Sequence, residues 1–307
     1  MENQTTSRAR VGIIGFGAMG SAMGRNLQLR GYAVSARDIR PEAHAQALAW
    51  GMGVAASPAA LAAVVDVLAV VVVDAAQIDA VLSGTSDCPG VLAGCRPGQT
   101  VLLCSTIAPH DTLRLAQGLL SAGVAVVDAP VSGGPARALS GEMSMMLAGP
   151  PAALDAIASL LADLARNRFL LGPRIGDAAR AKLVNNLLAG INLAAGAEAL
   201  ALGIRLGLEP QAIFDIVSAS SGNSWIFQDR MARAIQDDFA PRAAAPVLTK
   251  DLGLAVALAQ TVQAHTPLGQ AAHARFQETV ARGWAALDDA AILKTYLANP
   301  ADDAGQA

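Results

Sequence analysis

Between residues 10 and 148, short apolar runs alternate with alanine-rich segments of helical spacing, and this alternation restricts the chain more than any other feature. Arg10–Ile14, Tyr32–Ala36, Val67–Val73, Thr100–Leu103, Val124–Asp128 and Met143–Ala148 read as strands, with Met19–Arg30 and Asp111–Ser121 as helices among them. Strands so uniformly apolar need cover on both faces, which a parallel sheet obtains because each crossover lays a helix against it. The expected architecture is a doubly wound α/β domain. After Gly172-Pro173 the strand signals stop. Asp177–Leu206 reads as one long helix rich in Ala and Leu, Gly207 and Pro210 end it and start the next, and Pro241, Pro246 and Pro267 separate further helices, the largest over Lys250–His265. The fold class is therefore α/β: a doubly wound sheet over residues 1–173, then an all-α domain over residues 174–307. No long linker separates the halves, and the cleft between them is the expected ligand site.

Composition removes several function classes. Lys and Arg number 22 against 25 Asp and Glu, a net charge of −3, so no basic surplus exists to neutralise a nucleic-acid backbone. Hydrophobic residues make up 53% of the 307 residues, which excludes disorder. The apolar run Val67–Val73 is strand-sized, and the stretch Leu183–Leu202 is interrupted by Asn185, Asn186, Asn192 and Glu198, so no membrane span is expected. Arg8 and Arg10 ahead of an apolar stretch imitate a signal peptide, but Gly12, Gly15, Gly17, Gly20 and Gly24 fit a nucleotide-binding turn better. Cys88, Cys95 and Cys104 have neither an even count nor metal-ligand spacing, which points to a reduced, cytoplasmic protein without a metal.

Gly15-Phe16-Gly17-Ala18-Met19-Gly20 follows the first apolar strand and opens a helix, the context in which a GxGxxG binds a dinucleotide. Gly15 permits the tight turn, Gly17 lets backbone approach a pyrophosphate, and Gly20 allows close packing of helix on strand. Asp38 ends the second strand, where an acid binds both ribose hydroxyls of NAD and repels the 2′-phosphate of NADP. Arg37 and Arg40 pull the other way, since either can fold over that phosphate, so NAD is the expected cofactor with NADP as the alternative. Asp128-Ala129-Pro130-Val131-Ser132-Gly133-Gly134 follows a strand with a hydroxyl and two glycines that can bare N–H groups to a carboxylate; a plain turn is the other reading. Lys182 and Asn186 share a face of the long helix, with Asn185 beside them. A lysine among Ala, Leu and Val either snorkels to water or is functional.

Gly15–Gly20, Asp128–Gly134, Lys182–Asn186 and Lys250-Asp251-Leu252 occur in the order and spacing of the β-hydroxyacid dehydrogenases, and from about Val11 to Leu297 the chain resembles that family. The family includes 3-hydroxyisobutyrate dehydrogenase and tartronate semialdehyde reductase. Finer traits resemble its L-threonate dehydrogenase branch: Val73-Asp74-Ala75-Ala76-Gln77, Gly222-Asn223-Ser224-Trp225 with Phe227 and Arg230, Phe239-Ala240-Pro241-Arg242, and Asp288-Asp289 before Ile292-Leu293-Lys294. Asp74 departs from the Asn of that branch, and Ala178 replaces a glycine usual in the family.

The resemblance implies a Rossmann domain, and it implies Lys182 as general acid/base. Ser132, Gly133 and Gly134 would bind the substrate carboxylate and Asn186 would hydrogen-bond the substrate. Val73, Asp74, Thr106 and Lys250 would lie at the cofactor. An ordinary lysine, with a pKa of ~10.4, is a poor base at neutral pH, so desolvation and a neighbouring cation such as Lys250 would have to bring it down. The implied reaction is oxidation of a short hydroxy acid, a four-carbon sugar acid such as L-threonate, in a homodimer or homotetramer. The alternatives are 3-hydroxyisobutyrate oxidation, tartronate semialdehyde reduction or, in a different class, a catalytically silent cofactor-binding scaffold; the retained Lys182, Asn186 and Ser132 oppose the last. Asn223, Ser224, Trp225 and Phe227 are candidates to line the substrate site. His44, His110, His265 and His273 read as surface or helix residues, Asp237-Asp238 and Asp288-Asp289 as solvated caps or turns, and Met143, Met145 and Met146 as core packing.

Overall fold

The structure, a computed structural model, describes residues 8–298. It divides into two compact units, the first ending at Lys182 and the second beginning at Leu183.

The first unit contains β1 (Val11–Ile14), β2 (Val34–Arg37), β3 (Gly53–Val54), β4 (Val67–Val70), β5 (Thr100–Leu103) and β6 (Ala125–Asp128) in one parallel sheet of order β3-β2-β1-β4-β5-β6. The helices between them are α1 (Ala18–Leu29), α2 (Pro41–Ala49), α3 (Pro58–Val64), α4 (Ala75–Ser83) and α5 (Pro109–Ser121). Successive side chains of β1, β4, β5 and β6 enter different cores. Val11, Ile13, Val67, Ala69 and Leu102 belong to one, and Ile14, Leu68, Val70, Val101 and Leu103 to the other. A strand buried on both faces needs no polar alternation, which is why these runs read as continuously apolar. Register is in phase across the centre, Val11 opposite Val34 on one side and Val67 on the other. The winding reverses at β1, so the crevice at the carboxyl ends of β1 and β4 is where such sheets take their ligands.

The strand expected at Met143–Ala148 does not join this sheet. It is β8 (Met143–Leu147) of a second, three-stranded sheet, antiparallel to β7 (Val131–Ser132) and parallel to β9 (Ala165–Leu170). Met143 and Met145 are fully buried there, in line with core packing. The sixth place in the main sheet goes instead to β3, a two-residue edge strand beginning with Gly53 and too short to show as an apolar run. The tail Val71–Val73 of another expected strand leaves the sheet after Val70 and forms the crevice loop. α6 (Gly134–Ser140), α7 (Pro151–Ala156) and α8 (Ala158–Leu164) complete the layer.

α9 (Asp177–Arg205) starts in the first unit and runs on as the core helix of the second, followed by α10 (Pro210–Ser218), α11 (Trp225–Ala234), α12 (Ala245–Thr261), α13 (Pro267–Thr279) and α14 (Ile292–Leu297). Leu193, Ala197 and Leu200 of α9 pack with Phe227, Met231, Leu252, Phe276 and Ile292. Gly190, Gly196 and Gly203 make room for this packing: a methyl group there would lie within 2.6, 2.5 and 2.4 Å of Leu252, Phe227 and Ile213. α12 begins five residues before Lys250, because Pro246 sits in its first turn, where a missing N–H costs no helical bond. α9 is long and apolar enough to cross a membrane by length and composition, with a mean hydropathy of 1.7 over its best window.

Candidate active site

The glycine turn is built around backbone contacts that no side chain would survive. Gly15 has φ +89°, and a Cβ on it would fall 2.3 Å from the Val71 carbonyl oxygen; one on Gly20 would fall 2.0 Å from the Gly15 carbonyl oxygen. Gly17 differs, because a Cβ there would meet nothing nearer than Arg40 at 4.0 Å. No side chain caps α1 at Gly17. The first N–H groups of a helix thus face open ground, the arrangement that receives a pyrophosphate. Phe16 is buried, Ala18 and Met19 open α1, and a groove of about 430 Å³ runs from Phe16, Gly17 and Ala18 to Arg40 and Gln46. A dinucleotide fits this cradle.

Asp38 lies where expected, one residue past β2, but its carboxylate is already engaged. Oδ2 accepts from the Phe16 N–H at 2.7 Å and from Arg40 Nη2 at 3.1 Å, and Oδ1 accepts from Arg40 N at 3.0 Å and Arg40 Nε at 2.9 Å. Burial works against its charge, yet the Arg40 guanidinium and the two amides outweigh that and hold the carboxyl below its usual range. Arg37 donates to the Asp38 carbonyl and lies 3.1 Å from His44 Nε2. Both arginines that could meet a 2′-phosphate are therefore folded onto Asp38.

The remaining crevice residues sit at strand ends. The Val73 N–H donates to Gln77 Oε1 at 3.0 Å, and Asp74 caps α4 by accepting from the Gln77 N–H at 2.8 Å. An Asn would cap equally, so the departure at Asp74 leaves this turn intact. Ser105 Oγ accepts from the Val72 N–H at 3.1 Å, tying the β4 loop to the β5 loop that carries Thr106. Beyond β6, Ser132 pairs with Ser144 in the small sheet, and Gly133 and Gly134 follow with φ +120° and +75°, left-handed backbone open to glycine alone at little cost.

Asp128 carries a contact that its position in the motif did not announce. Its Oδ2 accepts from the N–H groups of Gly176 at 2.8 Å and Ala179 at 3.0 Å, at the start of α9. Burial pushes this carboxyl up to about 6, with Asp177 adding to the effect and the amides of Ala179, Gly176 and Ala178 opposing it. Ala178, fully buried, packs the methyl that distinguishes it from the family's glycine into a small cluster with Met146 and Ala148. Lys182, one turn further along α9, is only 6% exposed, so it does not snorkel to bulk water.

In the second unit the structure brings three polar residues together. Asn186 Nδ2 donates to Asp251 Oδ2 at 2.6 Å, and Lys250 Nζ lies 2.7 Å from Asp251 Oδ1. The second contact is an ion pair outside hydrogen-bond geometry, leaving Oδ1 without a hydrogen-bond donor. Asn185 donates to Asn186 Oδ1 at 3.0 Å, which fixes the amide orientation from its other end. Asp251 was legible only as the neighbour of Lys250; its burial at 3% exposure, inside a helix, was the missing fact.

Two expectations need correction. Phe227 is 1% exposed and stacked 5.6 Å from Phe214 in the helical core, so its ring is not free to meet a substrate, while Ser224 caps α11 by accepting from the Phe227 N–H. Asp288 and Asp289 are not solvated: they are 0% and 2% exposed. Asp288 accepts from Arg233 Nη2 at 3.1 Å and from the N–H groups of Arg242 and Ala243 at 2.9 and 3.1 Å, while Asp289 pairs with Arg230 at 2.5 Å. Arg230, Arg242 and the Asp288-Asp289 pair, from three of the segments that resemble the threonate branch, thus meet in one ion-pair network.

Two known family models match most of the chain. A family model described as the NAD binding domain of 6-phosphogluconate dehydrogenase matches residues 10–172, and one described as NAD-binding of NADP-dependent 3-hydroxyisobutyrate dehydrogenase matches residues 176–296. The chain belongs to the 3-hydroxyisobutyrate dehydrogenase-like family of NAD(P)-dependent enzymes, which act on the CH–OH group of hydroxy acids. It is 39% identical to an L-threonate dehydrogenase of Cupriavidus necator over 93% of this chain and 95% of that one. With an L-threonate dehydrogenase of Escherichia coli it shares 35% over 95% and 96%. A crystal structure of a 3-hydroxyisobutyrate dehydrogenase from Salmonella typhimurium superposes with a TM-score of 0.88 at 36% identity, covering 94% of this chain and 100% of that one.

Proposed function

We propose that the chain oxidises a four-carbon sugar acid of the L-threonate type, with NAD as the preferred cofactor and Lys182 as general acid/base. The observation that carries the reading is a buried lysine on a helix whose first turn is tied, through Asp128, to the strand leading into Ser132-Gly133-Gly134. The identity to L-threonate dehydrogenases supports the substrate. In the proposed division of labour, residues 1–173 hold the dinucleotide and residues 174–307 serve substrate binding and oligomerisation. Gly15–Gly20 hold the pyrophosphate, and Asp38 the adenosine ribose after Arg40 shifts aside. Val73, Asp74, Thr106 and Lys250 border the cofactor. Bound NAD supplies the hydride acceptor for the carbinol carbon. Ser132 and the Gly133 and Gly134 amides hold the substrate carboxylate, Asn186 donates to a substrate oxygen, and Lys182 takes the hydroxyl proton, returning it in the reverse direction.

The test is a steady-state comparison of L-threonate, D-erythronate, 3-hydroxyisobutyrate, D-glycerate and L-serine, each with NAD and NADP. The expected result is the highest kcat/KM for L-threonate with NAD. A higher value for 3-hydroxyisobutyrate, or a preference for NADP, would overturn the substrate or the cofactor assignment respectively. The protein is proposed to be soluble, cytoplasmic and homo-oligomeric. α9 supports the last point, since Val184, Leu188 and Leu202 leave an apolar stripe exposed along it while Leu193, Ala197 and Leu200 are in the core. Light scattering should give twice or four times the mass of one chain; a mass of one chain refutes the oligomer.

A further inference from the structure

We infer that Asp128 is a positioning residue for this reaction: its carboxylate holds the first turn of the helix that carries Lys182 against the strand that leads to Ser132. The inference rests on the roles proposed above for those two residues. A strand ending Val-Val-Asp has no structural need of a carboxylate at a position 2% exposed, where an apolar side chain would be cheaper to bury. The charge is kept where the start of α9 rewards it. The N–H groups of Gly176 and Ala179 have no carbonyl of a preceding turn to bond, and a helix N-terminus favours a negative charge.

Both ends of the tie are anchored. The Asp128 main chain exchanges two 2.9 Å hydrogen bonds with Ala148, so the carboxylate is rooted where the two sheets of the unit meet. At the other end, Lys182 follows Ala179 by three residues on a continuous helix, so a shift of the first turn is transmitted to the ammonium. Asp177, the other carboxylate of that turn, cannot substitute, because it pairs with Arg174 and Arg180. Misplacing a catalytic group by about 1 Å costs on the order of 10²-fold in rate, so loosening the tie should register in kcat.

The experiment compares wild type, Asp128→Ala and Asp128→Asn as full-length chains at a temperature where circular dichroism shows each folded. It reads kcat and KM, the isotope effect of deuterium at the carbinol carbon, and amide hydrogen exchange over residues 176–182. Asp128→Ala should lose kcat by about 10- to 100-fold at unchanged KM for NAD, raise the isotope effect and speed exchange in that segment. Asp128→Asn, whose Oδ1 still accepts from the same amides but without charge, should lose only a few-fold, because neutral acceptors bond about half as strongly. A merely structural role would lower Tm and leave kcat and the isotope effect of the folded protein alone; that outcome overturns the inference. So does unchanged exchange over residues 176–182 in either variant. If Asp128→Ala does not fold, Asp128→Asn decides by the same two readouts. If the wild type oxidises none of the acids, the proposed function fails while the exchange measurement still judges the tie.

Discussion

Lys182→Ala is expected to lower kcat by between about 10² and 10⁴, the range a positioned acid or base supplies, with NAD affinity and Tm unchanged. The large effect follows from burial: at 6% exposure Lys182 sits where water cannot readily replace it as the proton acceptor. Lys182→Arg separates proton transfer from simple charge. A guanidinium keeps the positive charge but does not give up its proton at working pH, so this variant should be as inactive as the alanine. Steady-state kinetics, with NAD binding followed by fluorescence, checks both. Wild-type turnover by Lys182→Arg would show that the residue acts through its charge alone.

Asp288→Ala is expected to destabilise the helical unit by about 3–5 kcal/mol, because it leaves Arg233, whose side chain is only 16% exposed, without its carboxylate partner. It also strips the acceptor from the Arg242 and Ala243 N–H groups, which hold the loop before α12. Arg233 Nη1 already lacks a hydrogen-bond partner, so the network has nothing in reserve. Urea unfolding checks the figure. A loss below about 1 kcal/mol for Asp288→Ala would mean that the aspartate is dispensable to the loop.

Why these two residues differed in legibility is instructive. Lys182 could be singled out because a lysine within an apolar helix breaks a pattern that sequence displays directly. Asp288 could not, because two adjacent aspartates before a short helix look the same whether water or arginines surround them. The central sheet was readable for the same reason as Lys182: β1, β4, β5 and β6 are apolar on both faces, and burial on both faces needs no partner information. β3, β7 and β9 escaped because two are only two residues long and the third, Ala-Arg-Asn-Arg-Phe-Leu, is almost wholly exposed. Only pairing defines them, and pairing is a tertiary fact. Phe227 shows the reverse error. Its neighbourhood in sequence suggested a substrate site, but Gly196 opens a space on α9 that its ring fills. The glycine turn was legible to the atom, whereas the engagement of Asp38 by Arg40 depended on a rotamer no spacing reveals.

The most direct test of the account is the stoichiometry of NAD reduction by L-threonate with the purified wild-type chain. The account predicts one NADH formed for each molecule of acid oxidised, at a rate that Lys182→Ala lowers by at least about 10²-fold. Tight NAD binding with no reduction by L-threonate or any other hydroxy acid of the panel would contradict it, and would leave the chain a cofactor-binding scaffold.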